Sequence, residues 1–443
     1  MASTSLSRTP SSAGNRRTWT WSGWIKRSEL SNAGQMTLFG ANSSAGANDE
    51  DSLHFNANDT FRIVFNNAGA GDITTSAVLR DTSAWYHIVI AVDTTQATAS
   101  DRVKIYINGT QQTSFSPETY PSQNYDCKVN NTVPHQIGYI DDAAGGGGST
   151  YFNGLMTHIH FIDGTAYDAS AFGQADANGV WTINTSPSVT YGTNGFFILK
   201  DGNSVTDQSG NGNNFTVAGG TLTNTEDNPS NVFATWNPLA IPTSGGANTF
   251  SNGNLEITNS ADAFRTSFST IGVNSGKWYW EAKFLSGEMK QFIGISKPQE
   301  IMDYVGQSAN SYSYMGEHGR RYNNSTQTSY GTAASTGDIF MVAFDADNGA
   351  IWVGKNGTWF NSATQAEIEA GTTTNAMYSS ITMDDFFVVG ATVEDSNLQC
   401  NFGNGYFGTT AVASAGTNAS GIGIFEYDVP TGYTALSTKG LNL

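Results

Sequence analysis

The chain is short of several things, and each shortage narrows what it can be. Lys and Arg number only 20 against 38 Asp and Glu over 443 residues, a formal net charge of −18. Phosphate backbones are bound by clustered cations, so nucleic acid is excluded as a partner, and anionic membrane surfaces are disfavoured for the same reason. Cysteine occurs twice, at Cys127 and Cys400, which leaves no disulfide framework and no zinc spacing. No run of 18 apolar residues exists, so no helical membrane insertion is expected. Met1 to Pro10 lacks an apolar stretch of the kind a secretory leader carries, and assembly in a cytoplasm follows as the expectation. Charged residues make up 13 % of the chain, about half the usual share, which argues against long charged helices.

What is abundant fills the same picture. Glycine (49) and aromatic residues (12 %) are plentiful, and Asn, Ser and Thr are dense. Short strands joined by polar turns have this composition, whereas disordered chains are poor in aromatics and rich in charge. The length suits two or three domains.

Period-two alternation recurs along the chain. Trp19 and Trp21 share one face of a strand beginning near Thr18. Trp85 to Asp93 reads as a buried strand, and Arg102 to Ile107 as an alternating one that stops at Asn108-Gly109, a hairpin signal. Gln136 to Ile140 and Leu155 to Ile162 complete the first set. Residues 191–250 lose the alternation and read as a connector that adds at most an edge strand at Phe215 to Val217. A second set follows: Lys277 to Phe284, Phe292 to Ile295, Asp338 to Phe344, Ala350 to Gly354, Phe386 to Thr392 and Leu398 to Phe402. Asn348-Gly349 and Asn356-Gly357 are predicted type I′ turns. One helix is predicted over Ala363 to Ala370, with Ser362 and Gln365 as a capping box and Gly371 beyond its end. The fold class is all-β: two β-sandwich domains in tandem, over 1–190 and 251–443.

These segments carry a resemblance. Thr18 to Arg27, Trp85-Tyr86-His87-Ile88-Val89, Ile105-Tyr106-Ile107-Asn108-Gly109 and Phe152-Asn153-Gly154-Leu155 to Gly164 resemble the LamG-like, concanavalin A-type jelly roll. Ser275 to Glu281, Phe292-Ile293-Gly294-Ile295, Gly337 to Gly349, Lys355-Asn356-Gly357 and Leu398 to Gly403 resemble, in order, a SPRY domain, itself a bent sandwich. The pair, with Ser7 to Arg16, Asp227 to Pro238 and Pro430 to Leu436, is similar to structural proteins of tailed bacteriophages. That resemblance implies a virion protein, a homo-oligomer, whose partners are other virion proteins and a host-surface carbohydrate or receptor. A fibre or tail adhesin is the leading expectation, and a head-decoration protein or head fibre binding only other virion proteins is the alternative.

A glycan depolymerase is the third reading, because concanavalin A-like folds include glucanases. Retaining glycosidases need two carboxylates about 5–5.5 Å apart. Before residue 225 the only glutamates are Glu29, Glu50 and Glu118, each isolated, and Glu367 and Glu369 are two apart on the predicted helix, off one another's face. The chain is therefore read as non-catalytic.

Four candidate sites remain. His158 and His160 share a strand face without a third ligand type nearby, so sandwich packing outweighs zinc. For calcium the candidates are Asp141 and Asp142 at a strand end, and Asp207, Ser209 and Asn211, which give oxygens at positions 1, 3 and 5 before Gly212. Ala218 stands where a bidentate Glu belongs, so a polar turn competes with a calcium loop there. Asp345 to Gly349 fails the same spacing. Finally, Tyr312, Tyr314, His318, Arg320, Arg321 and Tyr322 have the composition of a binding loop, aromatic and Arg among Gly, Ser and Asn.

Overall fold

The computed structural model describes residues 3–31, 34–43, 49–141, 149–200, 202, 204–241, 246–285 and 289–442. The chain divides into two compact units, Met1–Asn224 and Thr225–Leu443.

In the first unit a nine-stranded sheet runs Phe115–Thr119, Gly71–Val78, Thr60–Phe65, Asp51–Phe55, Gln35–Ala41, His135–Ile137, Ser5–Arg8, Thr216–Gly219, with Ser149–Tyr151 parallel to Gln35–Ala41. It faces a six-stranded sheet ordered Phe196–Ile198, Gly154–Asp163, Thr18–Arg27, Tyr86–Asp93, Val103–Ile107, Thr110–Gln111. Alternation places Trp19, Trp21 and Ile25 inward with Ile88, Ile90 and Val92, against Phe39, Phe55 and Ile63 of the larger sheet. The opposite positions, Thr20, Ser22 and Trp24, are also buried. The chain after Gly164 returns over them: Thr20 Oγ1 donates to the Thr165 carbonyl at 2.7 Å and accepts from the Tyr167 N–H at 2.8 Å. A second apolar layer of Val89, Ile162, Ala169 and Phe172 forms there, closed by Tyr167, Trp181 and Tyr191. The outer face of the smaller sheet is thereby taken up by the chain's own segment.

The second unit repeats the plan. An eight-stranded sheet runs Thr249–Ser251, Glu256–Asn259, Ser396–Asn401, Lys277–Phe284, Ile339–Asp345, Ala350–Lys355, Thr358–Trp359, with Thr434–Ala435 parallel to Lys277–Phe284. A six-stranded sheet runs Arg265–Val273, Phe387–Val393, Phe292–Ser296, Ser311–Met315, Arg320–Asn323, Thr326–Ser329. Trp236, Trp278 and Trp280 anchor the core between them. Tyr279, Met341 and Trp352 point the other way and are covered by Phe425 and Tyr433 of the C-terminal segment.

The stretch 191–250, read as a connector, is divided between the units. Phe196–Ile198 pairs with Gly154–Asp163, and Thr216–Gly219 pairs with Ser5–Arg8 at the sheet edge. Trp236 belongs to the second core. Strands of three or four residues are too short to show a period, so the sequence gives no alternation to read.

The helix is Gln365–Glu369, and its capping box is Thr364 with Glu367, not Ser362 with Gln365. Asn361 and Ser362 both have positive φ (56° and 61°), so the chain is still turning where the earlier start was expected. Gly371 terminates the helix at φ 68° as anticipated. Asn108-Gly109 and Asn356-Gly357 are left-handed at both residues and join Ile107 to Thr110 and Lys355 to Thr358. At Asn348-Gly349 only the glycine is left-handed, because the turn between Asp345 and Ala350 spans four residues.

Candidate functional site

The segment read as a binding loop is three strands at the edge of the second unit's smaller sheet. Ser313 pairs with Tyr322 and Tyr322 with Gln327, while Tyr314 pairs with Arg321 and Arg321 with Thr328. Paired residues share a face and neighbours along a strand alternate, so the six candidates are split.

On the inner face Tyr314 has no exposed surface and lies 5.3 Å from the rings of both Phe340 and Phe360, its hydroxyl donating to the Thr332 carbonyl. Tyr312 meets Tyr378 edge-on at 5.2 Å, and Arg321 lies 5.0 Å over that same Tyr378 ring while donating to the Met377 carbonyl. On the outer face Tyr322 rests against Phe292 at 5.2 Å and Tyr304 at 6.0 Å. Its hydroxyl and the Arg320 guanidinium both donate to Gln327 Oε1 at 2.8 Å. His318, at the turn, is half-exposed beside Glu317. Tyr314 and Tyr322 are packing residues, a correction to the binding-loop reading. The period-two spacing of Tyr312 and Tyr314 was the available signal, overridden by composition.

At the Asp207 turn the carboxylate is aimed at donors. Oδ1 accepts from the N–H of Phe197 and Ser209 at 2.8 Å each, and Oδ2 from the Ser209 hydroxyl and the Asn213 N–H at 2.8 Å each. Asn211 Nδ2 donates to the carbonyls of Gly192 (2.7 Å) and Gly195 (2.9 Å). N–H and O–H dipoles converge where a cation would need lone pairs, so the turn ties Phe196–Ile198 to the strand that follows it and is not arranged as a calcium loop. Asp141 is half-buried, its N–H donating to Gln136 Oε1 at 2.9 Å. Asp142 lies outside the described residues.

His87, His158 and His160 stand on strands of the first unit's smaller sheet, and His54 and His135 on the larger one. His160 stacks on Phe197 at 4.0 Å and bonds the Tyr191 hydroxyl at 2.9 Å through Nδ1. Burial, with His158, His87 and Lys200 nearby, holds it well below the usual imidazole range. The His158 ring lies 6.4 Å away, at a bulge where its φ is 49°. Among the described residues no group of three His, Cys, Asp or Glu is placed to hold a metal ion.

His87 deserves a separate test because it bonds a serine. Its ring stacks on Trp24 (4.7 Å), Trp181 lies nearly parallel to it with the ring centres 6.0 Å apart, and Nε2 lies 2.9 Å from Ser22 Oγ. Trp181 Nε1–H can only donate, and it donates to His87 Nδ1 at 2.9 Å. Nε2 therefore carries the proton and gives it to the serine, leaving no lone pair to activate that hydroxyl. Ser22 and His87 have no exposed surface, and burial pushes the imidazole down to about 3.

In the second unit Glu281 is a fully buried carboxylate that the sequence had not singled out. Oε1 accepts from the Tyr279 hydroxyl (3.0 Å) and the Tyr427 N–H (2.8 Å), Oε2 from the Glu426 N–H (2.9 Å). Burial pushes it up to about 7, against the pull of those backbone donors. It fastens the C-terminal segment over the sheet. Glu367 and Glu369 have comparable local duties, closing the capping box and accepting from the Thr431 N–H at 2.8 Å.

Comparison with known proteins agrees with this architecture. Residues 2–170 match the profile of the concanavalin A-like lectin/glucanases superfamily, and residues 277–381 that of the SPRY domain. Among solved structures, the SPRY domain of human HERC1 is 16 % identical over 37 % of this chain and 96 % of its own, with a TM-score of 0.30. The TRIM65 PSpry domain is 12 % identical over 38 % of this chain and 91 % of its own, TM-score 0.28, and stonustoxin 20 % over 38 % and 26 %, TM-score 0.27. Both families are of the lectin and SPRY binding type, and the chain is a concanavalin A-like domain followed in tandem by a SPRY domain.

Proposed function

We propose that the chain is a non-catalytic structural protein of a tailed-bacteriophage particle, a fibre or tail adhesin that binds host-surface glycan or protein. The context rests on the sequence resemblance over Ser7 to Arg16, Asp227 to Pro238 and Pro430 to Leu436. The non-catalytic reading rests on the isolation of Glu29, Glu50 and Glu118 in the sequence and on two domain families of the lectin and SPRY binding type. The Ser22–His87 pair is consistent with it, its tautomer held by Trp181 in the form that cannot act as a base. The outer face of that sheet is covered by Phe172, Trp181 and Tyr191, which leaves recognition of a glycan or protein to the sandwich loops.

Immunogold labelling of particles and a glycan array with the full chain test this reading together. Labelled fibres or tails and selective glycan or host-cell binding are expected. Labelled heads with a blank array would assign the chain to head decoration, and release of reducing sugar from host polysaccharide would make it a depolymerase.

A further inference from the structure

Among the described residues of the SPRY-containing unit, the four most exposed large apolar side chains are Ile301 at 83 %, Leu239 at 61 %, Ile241 at 52 % and Phe386 at 51 %. Large apolar side chains are exposed singly on most proteins, but these are gathered. A satellite cluster of Phe268, Met302, Val305 and Val388 sits on the outer face of the smaller sheet, and Ala240 packs against it. Leu239 and Ile241 flank Ala240, Ile301 precedes Met302, and Phe386, just ahead of the strand Phe387–Val393, lies with Val388 beside Gly272, whose Cα hydrogen both side chains border. Pairing of Ser296 with Val388 and the 2.7 Å ion pair of Lys297 with Asp384 bring the Ile301 and Phe386 segments side by side.

The rim is acidic. Asp384, Asp385 and Glu300 all act on the single Lys297 ammonium, and Asp303 adjoins Met302. A second copy of the chain would bring the same carboxylates against one another, and the chain as a whole carries −18. The complement of this surface is apolar at its centre and cationic at its edge.

We infer that the patch formed by Leu239, Ile241, Ile301 and Phe386 docks a basic segment of another protein, one that inserts apolar side chains among these four and pairs its Lys or Arg with Asp384 and Asp385. The inference rests on reading the SPRY domain as a binding module. It does not depend on the particle being a phage or on the glycan ligand.

Fluorescence anisotropy on the full chain, at physiological salt, with a labelled synthetic peptide alternating Lys with Leu and Phe is the test. Glu-for-Lys and Ser-for-Leu/Phe peptides are the controls. The Lys/apolar peptide should bind the wild-type chain, and I301S/F386S and D384N/D385N should each weaken it tenfold or more. Both variants should melt within about two degrees of wild type, as exposed substitutions do. Equal affinity for wild type and I301S/F386S would reduce the effect to general attraction to an acidic chain and overturn the proposal, as would no binding by the wild type. Self-association of the wild type, by sedimentation, that I301S/F386S abolishes would assign the patch to a second copy and overturn it as well. A blank glycan array alongside intact peptide binding would strike the adhesin reading alone.

Discussion

The guanidinium of Arg27 meets the carboxylate of Asp59 at 2.9 Å, and neither side chain has any exposed surface. Arg27 also lies 4.2 Å over the Phe55 ring and donates to the Leu79 carbonyl at 2.5 Å. Asp59 accepts further from the Ser31 N–H at 2.7 Å and from Arg80 at 2.8 Å. The pair clamps the end of the Trp-rich strand to a turn of the larger sheet. Removing one partner of such a pair leaves a buried charge uncompensated and costs about 3–5 kcal/mol. Asp59→Ala should therefore lower the melting temperature of the first unit sharply in a calorimetric scan. Arg80→Ala, whose side chain is 53 % exposed, should move it by about a degree. Equal small shifts would show that the clamp contributes nothing.

Glu281 gives the second unit a pH dependence of definite sign. Its folded value, about 7, stands above the ordinary 4.5, so the folded state binds the proton more tightly than the unfolded chain does. The stabilisation is complete below about pH 4.5 and is lost as pH rises through about 7, in total on the order of 3 kcal/mol. Thermal melts at pH 5, 6, 7 and 8 should fall in that order for the transition that Trp280→Ala also shifts. Glu281→Gln should flatten the series, and an unchanged slope in that variant would place the titration elsewhere.

Arg320 and Tyr322 were grouped by composition, and the structure separates their consequences. Tyr322 is 9 % exposed against Phe292 and Tyr304, so Tyr322→Ala should cost about 3 kcal/mol, the lower end for a buried aromatic. Arg320→Ala should stay within about 0.5 kcal/mol in urea denaturation, as surface changes do. A near-wild-type Tyr322→Ala midpoint would return that ring to the surface and revive the binding-loop reading.

Limited proteolysis tests the boundary between the units, at Asn224 and Thr225. Phe196–Ile198 and Thr216–Gly219 are held in sheets, whereas 220–226 carry no strand. Brief trypsin-free digestion, for example with thermolysin, should first cut near 220–226 and leave a fragment that begins before Trp236. Early cleavage between Phe196 and Gly219, read by mass spectrometry, would restore the wider connector.

Composition and period two were enough, by themselves, to determine that this chain is a pair of β-sandwiches. A strand of five residues with one buried face, Val103–Ile107, writes its alternation directly into the sequence, strands buried on both faces such as Tyr86–Asp93 show as apolar runs, and Asn-Gly turns mark where they reverse. The short strand Phe196–Ile198 has no room for a period and was absorbed into the connector, whereas Thr216–Gly219 stands where an edge strand at Phe215 to Val217 was expected. The hairpin at Asn324-Ser325, left-handed at both residues without a glycine, hid the strands on either side of it. Sites were harder still. Whether Tyr314 is core or surface and which nitrogen of His87 is protonated depend on partners far along the chain, Phe360 and Trp181. Whether Asp207 faces a cation or four donors depends on how its own turn folds back onto Phe197. Local sequence specifies which way a side chain points along its own strand, but only the tertiary structure decides what meets it there.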